Sequence, residues 1–480
     1  MDKRQVAQGF AWNVLFTIIG RIILPVGIGI ALNRILGPFN VGAFATLASF
    51  TTVLDVLRDF GIVQNFVTDK DADLRREGQY FTLSVTLAFV IATLLWLGTP
   101  VVVDLLRLQG MEAAVPIMAI STVLTGMGSI PGSKLQKLAR FRDYGICETS
   151  AQFISAIVSL GMALRGYGVW ALIWAVPIRA GAGTLLYVVL AKLKPAAVDL
   201  PFLRSIVSRC TATLSNSLLS SAYTIGDTAV FGSLFGKVNA GYYSIAFNVA
   251  MKPVELVSWP LGRPLLLAFA HHRDDPERIR NVYARSIAGV LKATLPIFMI
   301  VAVFATEIVT FLYGHKFAGA GPILQILALY LFTRSLGTLS GGVLVAMGRP
   351  GLSNYGWIGA YAIVLTGFLT GSAKTSPISL TWWLTAGACM AYGFTVGIVW
   401  SRLKPQGRDL SSLFKALGAN VWVVAVLLGV HFLPVKGTQQ LGIALLIICS
   451  TYPLLLAKLF TGHARNALSI KGLKSIWKAM

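Results

Sequence analysis

Asp55, Arg58 and Asp59 stand at i, i+3 and i+4 in a segment that is otherwise apolar. On a helix that spacing puts three charges on one face. Lys252 and Glu255, at i and i+3, do the same in the second half of the chain. Arg21, Arg179 and Arg334 fall midway along apolar runs with no opposite charge within one turn, and Asp227, Lys292 and Glu307 complete the set. An ionisable group inside a bilayer costs at least about 2.5–3.5 kcal/mol, so each must face protein, water or a partner. Guanidinium offers paired donors that suit phosphate, and a watery cavity lined by cations attracts an anion. Arg21, Arg58, Arg179, Lys252 and Arg334 are therefore candidates for anion binding. Asp55, Asp59, Asp227, Glu255 and Glu307 are candidates for coupling to H⁺ or Na⁺, and nothing in the sequence selects one. A second reading stays open: ion pairs that only fix helix packing, with the isolated arginines answered from another helix.

The elements that must position these groups are membrane spans. Of 480 residues, 55% are hydrophobic and 12% charged, with mean hydropathy +0.72. Soluble proteins carry about 25% charged residues. Apolar windows predict fourteen helices, at 10–32, 40–63, 80–103, 113–133, 146–165, 168–190, 211–234, 240–262, 288–312, 321–346, 353–372, 379–400, 417–433 and 439–460. With the N-terminus inside, the inside loops hold 27 Lys and Arg against 7 outside. This bias places both termini in the cytoplasm. It also accounts for the net charge of +22 without nucleic acid. The run after Met1-Asp-Lys-Arg lacks a small-residue cleavage site and reads as an uncleaved first span. Glu148 and Lys458, near span ends, are placed to snorkel. Trp382, Trp383 and Trp400 fall at predicted interfaces, and Lys471, Lys474, Trp477 and Lys478 predict a basic helix on anionic lipid.

The chain contains an internal echo. Leu36-Gly-Pro-Phe-Asn-Val-Gly-Ala-Phe matches Phe235-Gly-Lys-Val-Asn-Ala-Gly-Tyr-Tyr, so that Gly37, Asn40 and Gly42 align with Gly236, Asn239 and Gly241 at an offset of 199. Asp55 and Glu255 follow with a one-residue slip. Each copy joins the first two helices of a six-helix block, as parallel repeats would. The expected organisation is residues 1–200 for helices 1–6, 201–402 for helices 7–12, and 403–480 for two added helices and a basic tail.

Other patterns carry no chemistry. Cys147, Cys210, Cys389 and Cys449 form no CxxC pair, and His271-His272 lacks further ligands, so no metal or disulfide framework is expected. Gly232 to Lys237 lacks the spacing and the Ser/Thr of a phosphate loop. Gly126 and Gly128 read as helix-packing glycines. No nucleophile, base and orienting residue come together from the loops, so neither enzyme activity nor a cofactor is expected.

Twelve helices in two blocks plus two more, the Leu-Gly-Pro-Phe-Asn-Val-Gly turn and Leu57-Arg-Asp-Phe-Gly-Ile62 resemble the polysaccharide transporter family of the multidrug/oligosaccharidyl-lipid/polysaccharide exporter superfamily. The specific part of the likeness is residues 33–66. The resemblance implies an all-α integral membrane protein of about fourteen helices, with two six-helix lobes in a V-shaped arrangement around a cavity. It implies a flippase that carries a polyprenyl-diphosphate oligosaccharide from the cytoplasmic to the outer leaflet of the cell membrane. A polysaccharide polymerase and glycosyltransferases are its implied partners. In related flippases, arginines of the first, second and eighth helices hold the diphosphate. Arg21 and Arg58 match the first two, and Lys252 replaces the third. The rival expectation is a multidrug and toxin exporter, which shares the lobes and binds cations through acidic residues.

Overall fold

The structure, a computed structural model, describes residues 24–459 apart from 70–72, 139, 259–264, 266–268, 270–274, 350, 405, 432 and 434–436. Arg21, His271-His272 and the basic segment after 460 lie outside the described residues. Within them the secondary structure is helical, and nine helices are long and apolar enough to cross a membrane. Fourteen is not a count these residues supply, since the windows 10–32 and 240–262 run beyond them. Leu94, Trp96 and Leu97 on one helix point outward, as lipid-facing side chains do. By packing, the chain forms two compact units, Met1–Ser244 and Ile245–Met480.

The first unit opens with α1 (Leu24–Asp59), which is broken at Gly37 (φ 74°, ψ 171°), so it is two limbs joined by a tight turn. There follow α2 (Ile62–Thr68), α3 (Leu74–Leu97), α4 (Thr99–Leu105), α5 (Ala114–Lys137), α6 (Phe141–Leu164), α7 (Trp170–Ala191), α8 (Leu200–Thr224), α9 (Asp227–Leu234) and the start of α10 (Gly236–Pro253). Leu47, Leu95, Leu108, Val115, Met118 and Ile173 form part of its core. Backbones approach closely where a side chain is missing: a Cβ on Gly126 would strike Ala88, and one on Gly128 would strike Thr184. Small residues serve this purpose in membranes, where apolar burial does not drive helices together. The connection between α7 and α8 is strapped to α3. Gln79 donates to the Ala197 carbonyl (3.0 Å) and to Asp199 (2.9 Å), and Asp199 caps α8 through the Phe202 amide (3.0 Å).

The two copies of the repeated turn share one local geometry. Gly37 and Gly236 both adopt positive φ, 74° and 82°, which favours glycine. Asn40 Nδ2 donates to the Leu36 carbonyl at 2.8 Å, and Asn239 Nδ2 donates to the Phe235 carbonyl at 2.9 Å. The turns also pack on each other. A Cβ on Gly42 would collide with the Lys237 carbonyl oxygen, and one on Gly241 with the Pro38 carbonyl oxygen.

In the second unit α10 continues into a π-helical turn, Val254–Ser258. Then come α11 (Pro276–Val303), α12 (Ala305–Tyr313), α13 (Ala320–Ala346), α14 (Leu352–Leu369), α15 (Pro377–Leu403), α16 (Gly407–His431) and α17 (Gly437–Leu459). The last two pack on α11 through Ile300, Val423, Leu427 and Ile448. Tyr452 ties the three together, donating to the Lys292 carbonyl at 2.9 Å.

Candidate functional site: charged pairs at broken helices

In the first unit the charged face falls at the end of α1. The helix stops at Asp59, Phe60 and Gly61 take positive φ, and α2 resumes at Ile62. Such a break leaves backbone groups without helical partners. Asp59 lies within electrostatic reach of the Gly61 and Val63 amides. Arg58 is 6% exposed, and its Nε donates to Asp55 at 3.1 Å. Thr122 on α5 lies beside Asp55. Arg58 Nη1 is buried without a hydrogen bond among the described residues, close to Gly126. The acid is therefore on the same helix as the base, one turn earlier.

Helix α10 repeats the theme. Lys252 Nζ donates to Glu255 at 2.7 Å, and the pair straddles the passage from α helix to π turn at Pro253–Val254. π segments are uncommon and collect at functional sites. Each cation is thus compensated locally, yet each keeps further donors. Arg179 is answered from a neighbouring helix: its Nη2 lies 2.8 Å from Glu148 Oε1, and Tyr187 donates to Glu148 Oε2 at 2.8 Å. Glu148 is therefore an ion-pair partner and not a snorkelling end residue. Spacing along one helix could not reveal this pair; an acid and a base on the two arms of a short helical hairpin could.

The remaining candidates separate. Asp227 begins α9 after a second break at 225–226 and is buried, accepting from the Thr228 amide and the Tyr243 hydroxyl. Glu307 sits against Gly437, the first residue of α17, where the helix dipole favours a negative charge. Arg334 on α13 is half-buried within electrostatic reach of Tyr392, whose ring packs on Trp357. Arg21 lies outside the described residues. No group of three or more His, Cys, Asp and Glu side chains suited to a metal occurs among the described residues.

The family described as polysaccharide biosynthesis protein matches residues 31–322, more than half of the chain. This chain belongs to that family. The polysaccharide biosynthesis match encloses Asp55, Arg58, Asp59, Arg179, Asp227, Lys252, Glu255 and Glu307, while Arg21 and Arg334 fall outside it. Among relatives, lipopolysaccharide biosynthesis protein WzxC of Escherichia coli (strain K12) is 25% identical over 368 residues, 73% of this chain and 72% of that one. The succinoglycan biosynthesis transport protein ExoT of Rhizobium meliloti (strain 1021) is 22% identical over 332 residues, 68% of this chain and 67% of that one. Among solved structures, the lipid II flippase MurJ in an inward closed conformation superposes with a TM-score of 0.73, at 13% identity, over 93% of this chain and 99% of that one. The fold of this family member is that of MurJ.

Proposed function

We propose that this chain translocates a polyprenyl-diphosphate-linked oligosaccharide from the cytoplasmic to the outer leaflet of the cell membrane, for polysaccharide biosynthesis. The observation that carries the reading is Arg58: a guanidinium buried in an apolar span beside a helix break, with Nη1 lacking an acceptor among the described residues. A donor left unsatisfied in a low-dielectric site is costly, and an anionic oxygen relieves that cost. The diphosphate and sugars cannot cross about 30 Å of hydrocarbon unaided. Outward movement of each negative charge is favoured by about 2.3 kcal/mol per 100 mV, interior negative. Arg58 and Lys252, with Arg21, are the proposed diphosphate contacts. The chain acts as a transporter and makes or breaks no covalent bond. Both termini are cytoplasmic in this reading, and a polymerase and glycosyltransferases act on the same lipid.

The paired carboxylates give the coupling ion a place to act. Protonation of Asp55 or Glu255 would release the full charge of Arg58 or Lys252 to the diphosphate. Family membership favours this reading over multidrug export, which the fold alone also accommodates. The test is transfer of a fluorescent polyprenyl-diphosphate-linked glycan across proteoliposome membranes. Arg58→Ala is expected to lower the rate at least about tenfold and Arg58→Lys less, with protein content unchanged. Full transfer by Arg58→Ala removes the clamp. Wild-type protein that moves an organic cation and no glycan lipid establishes the rival.

A further inference from the structure

The α6–α7 hairpin carries polar groups that the diphosphate reading leaves without a task. A cavity of about 200 Å³ opens beside it, lined by Ile28, Leu32, Phe44, Gln152, Ser155 and Arg179 among others. Ser155 donates to the Ala175 carbonyl at 2.7 Å and Ser159 to the Ala171 carbonyl at 2.8 Å, so these hydroxyls close the hairpin. Gln152 is half-buried, and its amide makes no hydrogen bond among the described residues. Arg179 is 52% exposed, and its ion pair with Glu148 occupies Nη2. Tyr187 fixes the other oxygen of Glu148 and stacks on Tyr144, with centroids 5.5 Å apart and ring planes 11° apart.

The charge balance separates two kinds of ligand. Arg179 and Glu148 together are neutral. A phosphate here would meet a carboxylate held at both oxygens, by Arg179 and Tyr187, whereas Asp55 and Glu255 are each held at one oxygen by their own cation and are released by protonation; like charges repel strongly away from water. A sugar hydroxyl meets no such opposition. It accepts from the free edge of the guanidinium and both accepts from and donates to the Gln152 amide. Ile28, Leu32 and Phe44 supply apolar walls for the C–H face of a pyranose. The volume suits one ring and not a chain of them.

We infer that this cavity receives a single sugar ring of the lipid-linked glycan, with Arg179 and Gln152 as its hydrogen-bonding residues and Glu148 and Tyr187 as positioning residues. The inference rests on the glycan-translocation reading and assigns to Arg179 a task different from the diphosphate contact expected from the sequence.

Three probes test it by native mass spectrometry of the full chain: polyprenyl diphosphate bearing galactose, bearing N-acetylglucosamine, and bearing no sugar. Wild-type protein is expected to bind at least one sugar-bearing lipid about tenfold more tightly than the bare one. Gln152→Leu and Arg179→Lys are chosen because neither leaves Glu148 without a cation. Each is expected to erase that preference while leaving bare-lipid binding within about twofold. Preference that survives both substitutions, or is absent from wild-type protein, overturns the inference. So does bare-lipid binding that falls in Arg179→Lys as much as sugar-lipid binding, since that marks a phosphate contact. Wild-type protein that binds none of the three takes down the glycan reading itself, and the inference with it.

Discussion

Asp199 shows how one side chain fixes a connection. Its carboxyl group titrates below the usual range chiefly because the Phe202 amide donates to it, then because Gln79 does. A carboxyl group depressed in the folded state stabilises that state above its unfolded pKa. The contribution is lost as pH falls through the lower, folded value. We predict that Asp199→Asn removes this acid-side loss while keeping the cap, and that Asp199→Ala lowers the thermal midpoint at neutral pH as well. Melting curves between pH 3 and about 7 on purified protein would check both. At this scale the sequence was legible for same-helix pairs. Asp55 with Arg58 and Lys252 with Glu255 follow from i, i+3 spacing alone. The Arg179–Glu148 pair and the place of the Gln152 amide beside it depend on rotation of one helix against the next, which spacing along a single chain does not encode.

At the scale of elements, the repeated turn is the feature most open to measurement. Gly42→Ala and Gly241→Ala each force apart backbones already in contact, and a cost of about 1–3 kcal/mol each is expected. Because both press on one seam, the double substitution should cost less than the sum. Asn40→Ala and Asn239→Ala should cost about 0.5–1.5 kcal/mol each, for one lost hydrogen bond. Chemical denaturation in detergent gives all four, and strict additivity of the glycine pair would refute the shared seam. The repeat was visible in the sequence because glycine and asparagine are restricted by backbone geometry. The breaks at 60–61 and 225–226 were not, since no proline marks them and apolar windows run straight through. The structure shows them in the backbone, where φ turns positive at Phe60 and Gly61 and where one helix ends at Thr224 and the next begins at Asp227.

At the scale of the whole molecule, composition pointed to a membrane protein, because so much apolar surface has no other solvent, and apolar windows long enough to span a bilayer pointed to helices. The loop charges further predict sidedness. With Cys147, Cys210, Cys389 and Cys449 replaced, a membrane-impermeant thiol reagent added to intact cells should label Lys374→Cys, and should label Arg75→Cys only after lysis. Both positions are exposed. Labelling of Arg75→Cys in intact cells would invert the orientation, and with it the direction of transport. The repeat offset is a property of sequence, whereas the division at Ser244 and Ile245 is a property of packing, and it falls within α10.

The meeting of the two turns is symmetric. Under the offset of 199, Pro38 corresponds to Lys237 and Gly42 to Gly241, and each glycine abuts the partner of the other's neighbour: Gly42 meets Lys237 while Gly241 meets Pro38. Residue i touching j′ while j touches i′ is the mark of an isologous, two-fold interface. A half-length chain carrying the turn once would have the surface to make this same contact with a second copy of itself.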